Sequence, residues 1–127
     1  MTTTQILPTD AHLVAAEATL AEALIARAPF IFPRLSSPDE IREVVMRLLS
    51  FAQIKLLELP VRREVREMTG EALRDIGCCV RGEDRDHTAG MAALRLVESV
   101  LAHAGEADLA DAISCGVRTL CHRMKVN

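Results

Sequence analysis

Among the side chains in this sequence that could bind a metal or act as nucleophiles are Cys78, Cys79, Cys115, Cys121, His87, His103 and His122. A zinc site needs ligands on one side of the ion, as a Cys pair with a two-residue gap or a His-Glu-x-x-His step supplies. Neither spacing occurs. Cys78-Cys79 and Cys121-His122 are adjacent, so on a helix each pair diverges by about 100°, and Cys115 and Cys121 point to different sides. A reactive thiol needs a helix N-terminus or a nearby cation to favour the thiolate. Cys78 and Cys79 sit instead near the C-terminal end of a predicted helix, with only Arg74 and Arg81 to offset its dipole. The residues assign no metal ligand, no cofactor and no catalytic group. The four thiols read as small reduced core side chains, and a thiol or metal sensor built on them is a third-ranked alternative.

Acid–base or hydrolytic chemistry needs polar groups converging in a pocket. The apolar stripes here are aliphatic, and the acids lie among arginines on outward faces. Ser50 and Gln53, in an otherwise apolar stretch, read as hydrogen-bonded residues of a wet stripe. No glycine-rich phosphate loop occurs. Arg62, Arg63 and Arg66 are balanced by neighbouring acids and lack the interleaved aromatics of single-strand binders. A net charge of −3 with a pI near 5.8 gives no global attraction to phosphate backbones. Nucleic acid is therefore not an expected partner.

The elements that would position any site are plainer. From Ile41 to Leu59, IREVVMRLLSFAQIKLLEL, twelve of nineteen residues are apolar, which predicts a central helix surrounded by others. Ser37-Pro38-Asp39-Glu40 starts it with a cap, a proline at the first helical position and a capping-box glutamate, and Pro60 breaks it between Leu59 and Val61. A first helix is expected over Ala11 to Arg27, with Leu13, Ala16, Leu20 and Leu24 inward and Pro29 as its stop. A third begins at Val61, its inner stripe being Val61, Val65, Met68, Ala72, Leu73, Ile76 and Val80. The loop centred on Gly82 has Asp84 or Asp86 to cap a fourth helix over His87 to Ala104, lined by Met91, Leu94, Val97 and Leu101. Gly105 ends that helix, and a fifth carries Leu109, Ile113, Val117, Leu120 and Met124. The expected fold is all-α: a single domain over 1–127, an antiparallel bundle of about five helices, with a flexible lead at 1–9 and a Pro/Phe-containing connector at 29–37.

The chain has 127 residues, half of them apolar, but only three aromatic rings, Phe30, Phe32 and Phe51. Its core must be aliphatic. The N-terminal stretch lacks the basic start and apolar run of a signal peptide, and no run approaches the ~20 residues needed to span a bilayer. The cytoplasm is the expected location, with no membrane partner.

The stretches LLSFAQIKLLELPVRREV (Leu48 to Val65), MAALRLVESVLAHAG and LADAISCGVRTLCHRM, behind a short first helix and a proline-containing link, resemble a family of small actinobacterial accessory proteins of natural-product biosynthesis. The resemblance implies a bacterial accessory protein and transfers no role to any residue. The leading expectation is a non-catalytic cytosolic helical interaction or accessory protein that self-associates as a homodimer. Its candidate surface is Phe30, Ile31 and Phe32 on the connector with Met46 and Phe51 on the central helix. The alternative is a module that binds a small apolar ligand or regulates a partner.

Overall fold

The computed structural model describes residues 10–82 and 87–126. Among them are five α-helices and no strand: α1 (Asp10–Ile31), α2 (Pro38–Leu56), α3 (Arg63–Arg81), α4 (His87–His103) and α5 (Ala107–Val126), with a 3-10 turn at Phe32–Arg34 between α1 and α2. The all-α bundle read from the sequence is the observed fold.

Local chemistry explains most of the helix ends. Ser37 caps α2, its hydroxyl accepting the Glu40 N–H at 3.2 Å, while the Glu40 carboxylate accepts from the hydroxyls of Ser36 and Ser37. One orphan N–H of the first turn is thereby satisfied. At the other end of α2 the chain turns through Leu57 and Glu58 before Pro60, and Arg66 Nη2 ties this turn down by donating to the Leu59 carbonyl at 3.2 Å. Gly105, at φ 84°, closes α4: the Glu106 N–H reaches back to the Leu101 carbonyl at 2.7 Å. A left-handed residue is needed there, and glycine takes it without strain.

Four helices form the body of the bundle. α3 packs on both α2 and α4, and α5 packs on both α4 and α2. Gly70 lies beside Gln53 and Leu56, and Gly77, one heptad later, lies beside Met46 and Leu49, so α2 and α3 run antiparallel. Lys55 meets Glu106 at one end of the α2–α5 contact and Arg42 meets Met124 at the other, so that pair is antiparallel too. Ile41, Val45, Leu48, Leu73, Ile76, Leu94, Val97, Leu101 and Ile113 are almost completely removed from water and form the aliphatic core. α1 lies across α2 and α5. α2 thus touches three helices, as its narrow wet stripe requires.

Several expectations need correction. α1 does not stop before Pro29; it runs through it to Ile31. Pro29 gives up the hydrogen bond to the carbonyl four residues back and crowds that carbonyl, but it lies in the last turn, and burial of Ala28 and Phe32 on either side holds the helical path. Phe30 and Ile31 therefore belong to α1, and Phe32 to the 3-10 turn, rather than to an open connector. α2 ends at Leu56, three residues short of Leu59. Leu20, Met68 and Met124, expected on inner stripes, are 43%, 53% and 48% exposed. Leu24 of α1 and Ala72, Leu73, Ile76 and Val80 of α3 pack inward as expected, and the inner face also takes in Ala21, Ile25 and Ala28 in the first helix and Thr69 in the second. The flexible lead 1–9 and the caps proposed at Asp84 and Asp86 lie outside the described residues.

Candidate interaction surface

Among the described residues, apolar surface remains open on α1 and on α2. α1 is apolar nearly all round. Ala21, Leu24, Ile25 and Ala28 turn inward, yet Leu20, Ala23, Ala26 and Phe30 face outward, Phe30 being 71% exposed. A helix apolar on both sides is normally covered on both.

Phe32 takes the opposite fate from Phe30. It is 1% exposed, its ring placed against the point on α5 where Gly116 carries no side chain, next to Val45. Arg123 of α5 fixes this turn from outside. Its Nη1 donates to the carbonyls of Leu35 at 2.6 Å and Ser36 at 3.4 Å, and its Nη2 to that of Pro33 at 3.0 Å. The aromatic connector is thus a lid closed by Phe32, with Ile31 half-buried beside it and Phe30 left in water.

The second region is a shallow groove of about 570 Å³ over the outer face of α2. Met46, Phe51 and Ile54 give it an apolar floor, Ser50 a hydroxyl, and Asp39, Arg42, Glu43, Arg47 and Arg81 a charged rim. Arg42 is held on three sides: Nη1 pairs with Asp39 at 2.7 Å, Nε donates to the Val80 carbonyl at 2.7 Å, and Nη2 points to Met124 Sδ. Arg47 pairs more loosely with Glu43, at 3.6 Å on an exposed surface. Phe51 is largely buried, so it contributes a floor and not a protrusion. Leu57, just past α2, is exposed.

The five residues proposed from sequence as one surface therefore fall into separate settings. Met46 and Phe51 share the α2 groove, Phe30 stands on α1, Ile31 is at the edge, and Phe32 is core. Leu20, read from the sequence as inward, and Ala23 and Ala26, on no expected stripe, face outward with Phe30. The signal for them was present, since α1 offers apolar residues at every angle of a helical wheel.

The chemical candidates are scattered. Gln53 donates to the Gly70 carbonyl at 3.0 Å across the α2–α3 contact, and Ser50 is exposed on the groove. None of the four cysteines is in a disulfide, and each is half-buried. Cys78 receives Arg81 Nη2 at 3.7 Å, and Cys79 packs against Gly90 of α4. His103 lies 2.8 Å through Nδ1 from the Ser99 carbonyl, and a carbonyl only accepts, so Nδ1 carries the proton. It borders a smaller cleft of about 460 Å³ with Pro60, Val61, Val65 and Val100. His87 opens α4, and His122 is exposed on α5. Among the described residues no three His, Cys, Asp or Glu side chains come together as a metal site, and no helix is long and apolar enough to cross a membrane.

No protein-family model, curated protein or solved structure matches this chain.

Proposed function

We propose that the chain is a non-catalytic, cytosolic helical interaction protein that works by associating with a second copy of itself. The observation that carries this reading is α1, whose outward side presents Leu20, Ala23, Ala26 and Phe30 to water between the exposed charges of Glu22 and Arg27. Leaving a phenylalanine and a leucine exposed on one helix costs several kcal/mol of unrealised burial, at ~25 cal/mol per Å². A partner surface recovers that energy. The resemblance to actinobacterial accessory proteins adds the accessory role to the proposal. Sedimentation velocity of the untagged protein at about 50 μM tests it: a dimer is expected, and a monomer throughout overturns self-association.

The α2 groove favours a second reading, a binding site for a small apolar molecule. Its volume of about 570 Å³ lies within the usual range for ligand sites, and Met46 lends it an adaptable wall. Native mass spectrometry separates the two readings. Retained mass on a monomer points to the groove, and an unloaded dimer points to α1.

A further inference from the structure

Resting on the self-association reading, the outward face of α1 also specifies how a second copy would sit on it. Ala21 and Ala28, 3% and 1% exposed, mark the line of α1 that faces the bundle. Two residues along an α-helix is a turn of about 200°, so Ala23 and Phe30 lie diametrically opposite that line, and Ala26 does so from the other direction. The spacing of three and then four between Ala23, Ala26 and Phe30 is that of a coiled-coil seam. Two alanines let another helix approach closely, and Phe30 fills the widening end. Leu20 and Arg27, one heptad apart, share one flank of the seam. Glu22 lies on the other flank, and both charged residues are exposed.

We infer that two copies pair through the Ala23, Ala26 and Phe30 faces of their α1 helices, side by side and parallel about a two-fold axis. Charge selects the direction. In a parallel pair opposite flanks meet, and a residue on one flank faces the residue five further along on its partner. Glu22 then meets Arg27 of the partner subunit, and the symmetric contact repeats it. In an antiparallel pair like flanks meet: with Ala23 level with Phe30 of the partner subunit, Arg27 comes beside Arg27 of the partner subunit, and Glu22 lies about 13 Å along the axis from the partner's Glu22 and gains no cation. Among the described residues, neither Glu22 nor Arg27 spends its charge on an ion pair within its own chain. The seam covers about three turns, which falls short of the ~800 Å² per partner of a standard interface, so the dimer belongs to the weak, micromolar class.

Cysteine trapping reads the direction, with sedimentation velocity run on the same samples. Under mild oxidation Phe30→Cys alone and Ala23→Cys alone should each give a covalent dimer, mapped by peptide mass to 30–30 and 23–23 links that wild type lacks. An antiparallel pair would hold the two position-30 residues about 10 Å apart along the axis, too far for a disulfide. It would instead link Phe30→Cys to Ala23→Cys in a mixture. Glu22→Arg or Arg27→Glu should each raise the dissociation constant about five- to tenfold, and the two together should restore it. Heterotypic links alone, or an undiminished dimer with no link at either position, overturn this inference while leaving self-association standing. A wild-type monomer without links overturns both.

Discussion

Gly116 has no room for a side chain: a Cβ there would come to 2.6 Å from Val45 Cγ2 and 2.7 Å from the Phe32 ring. Both neighbours are core residues with nowhere to retreat, so Gly116→Ala forces a shift in α5 or in the lid. It is expected to destabilise the fold by about 1–3 kcal/mol, the usual cost of overpacking, as a lower urea midpoint at unchanged m-value. Gly77 is the control. A Cβ there meets Met46 Cε at 3.6 Å and Leu49 Cδ1 at 3.9 Å, ordinary contacts with mobile side-chain ends. Gly77→Ala therefore gains the ~1 kcal/mol helix preference of alanine over glycine without a clash, and its midpoint should rise. If both variants shifted the same way, the packing of Phe32 on α5 would be wrong. None of this could be read from the chain, because two glycines in helical stretches look alike until their neighbours are in place.

At the scale of elements, Arg123 joins α5 to the turn that separates α1 from α2. Three carbonyls, of Pro33, Leu35 and Ser36, accept from one guanidinium. Arg123→Ala removes all three bonds; water can replace the exposed ones to Pro33 and Ser36, so the expected cost is about 1 kcal/mol, set by the part-buried Leu35 carbonyl. Arg123→Lys should recover little, since an ammonium cannot present a planar fork to three acceptors. Amide exchange should then quicken first around Leu35, whose N–H bonds Phe32 in this turn. The same region shows where sequence reading reached its limit. The α4 span, the Ser37 cap and the Gly105 stop were legible because each depends on a few neighbouring residues; Pro60 marked a break between α2 and α3 but not its place, since α2 already ends at Leu56. The end of α1 was not. Pro29 reads as a stop, but tertiary burial of Ala28 and Phe32 carries the helix two residues past it, and no local signal separates a buried Phe32 from an exposed Phe30. Leu20, Met68 and Met124 failed differently: an apolar stripe wider than the available contact leaves its edge residues in water, and the contact width belongs to the neighbouring helices. Of the candidate surface, Met46, Phe51 and Phe30 could be picked as unusual, but their separation into two regions could not.

At the scale of the whole molecule, the core of four helices closes on itself and α1 is the element left with two apolar sides, so association and stability should be linked. A partner that binds only the folded chain stabilises it by mass action, by about 1.4 kcal/mol for each tenfold excess over the dissociation constant. With a micromolar dimer, raising the protein from about 1 to about 100 μM should raise Tm by roughly 3–8 °C for a domain of this size. Phe30→Glu places a charge on the seam at a residue already 71% exposed, where a surface change costs the monomer within about 0.5 kcal/mol. Its Tm should match that of dilute wild type and stay level with concentration. The comparison separates a partner face from a structural one. A Phe30→Glu protein that melts lower at every concentration means that Phe30 belongs to the fold of one chain. Wild type and variant that both stay level mean that the exposed side of α1 is covered by something other than a second copy.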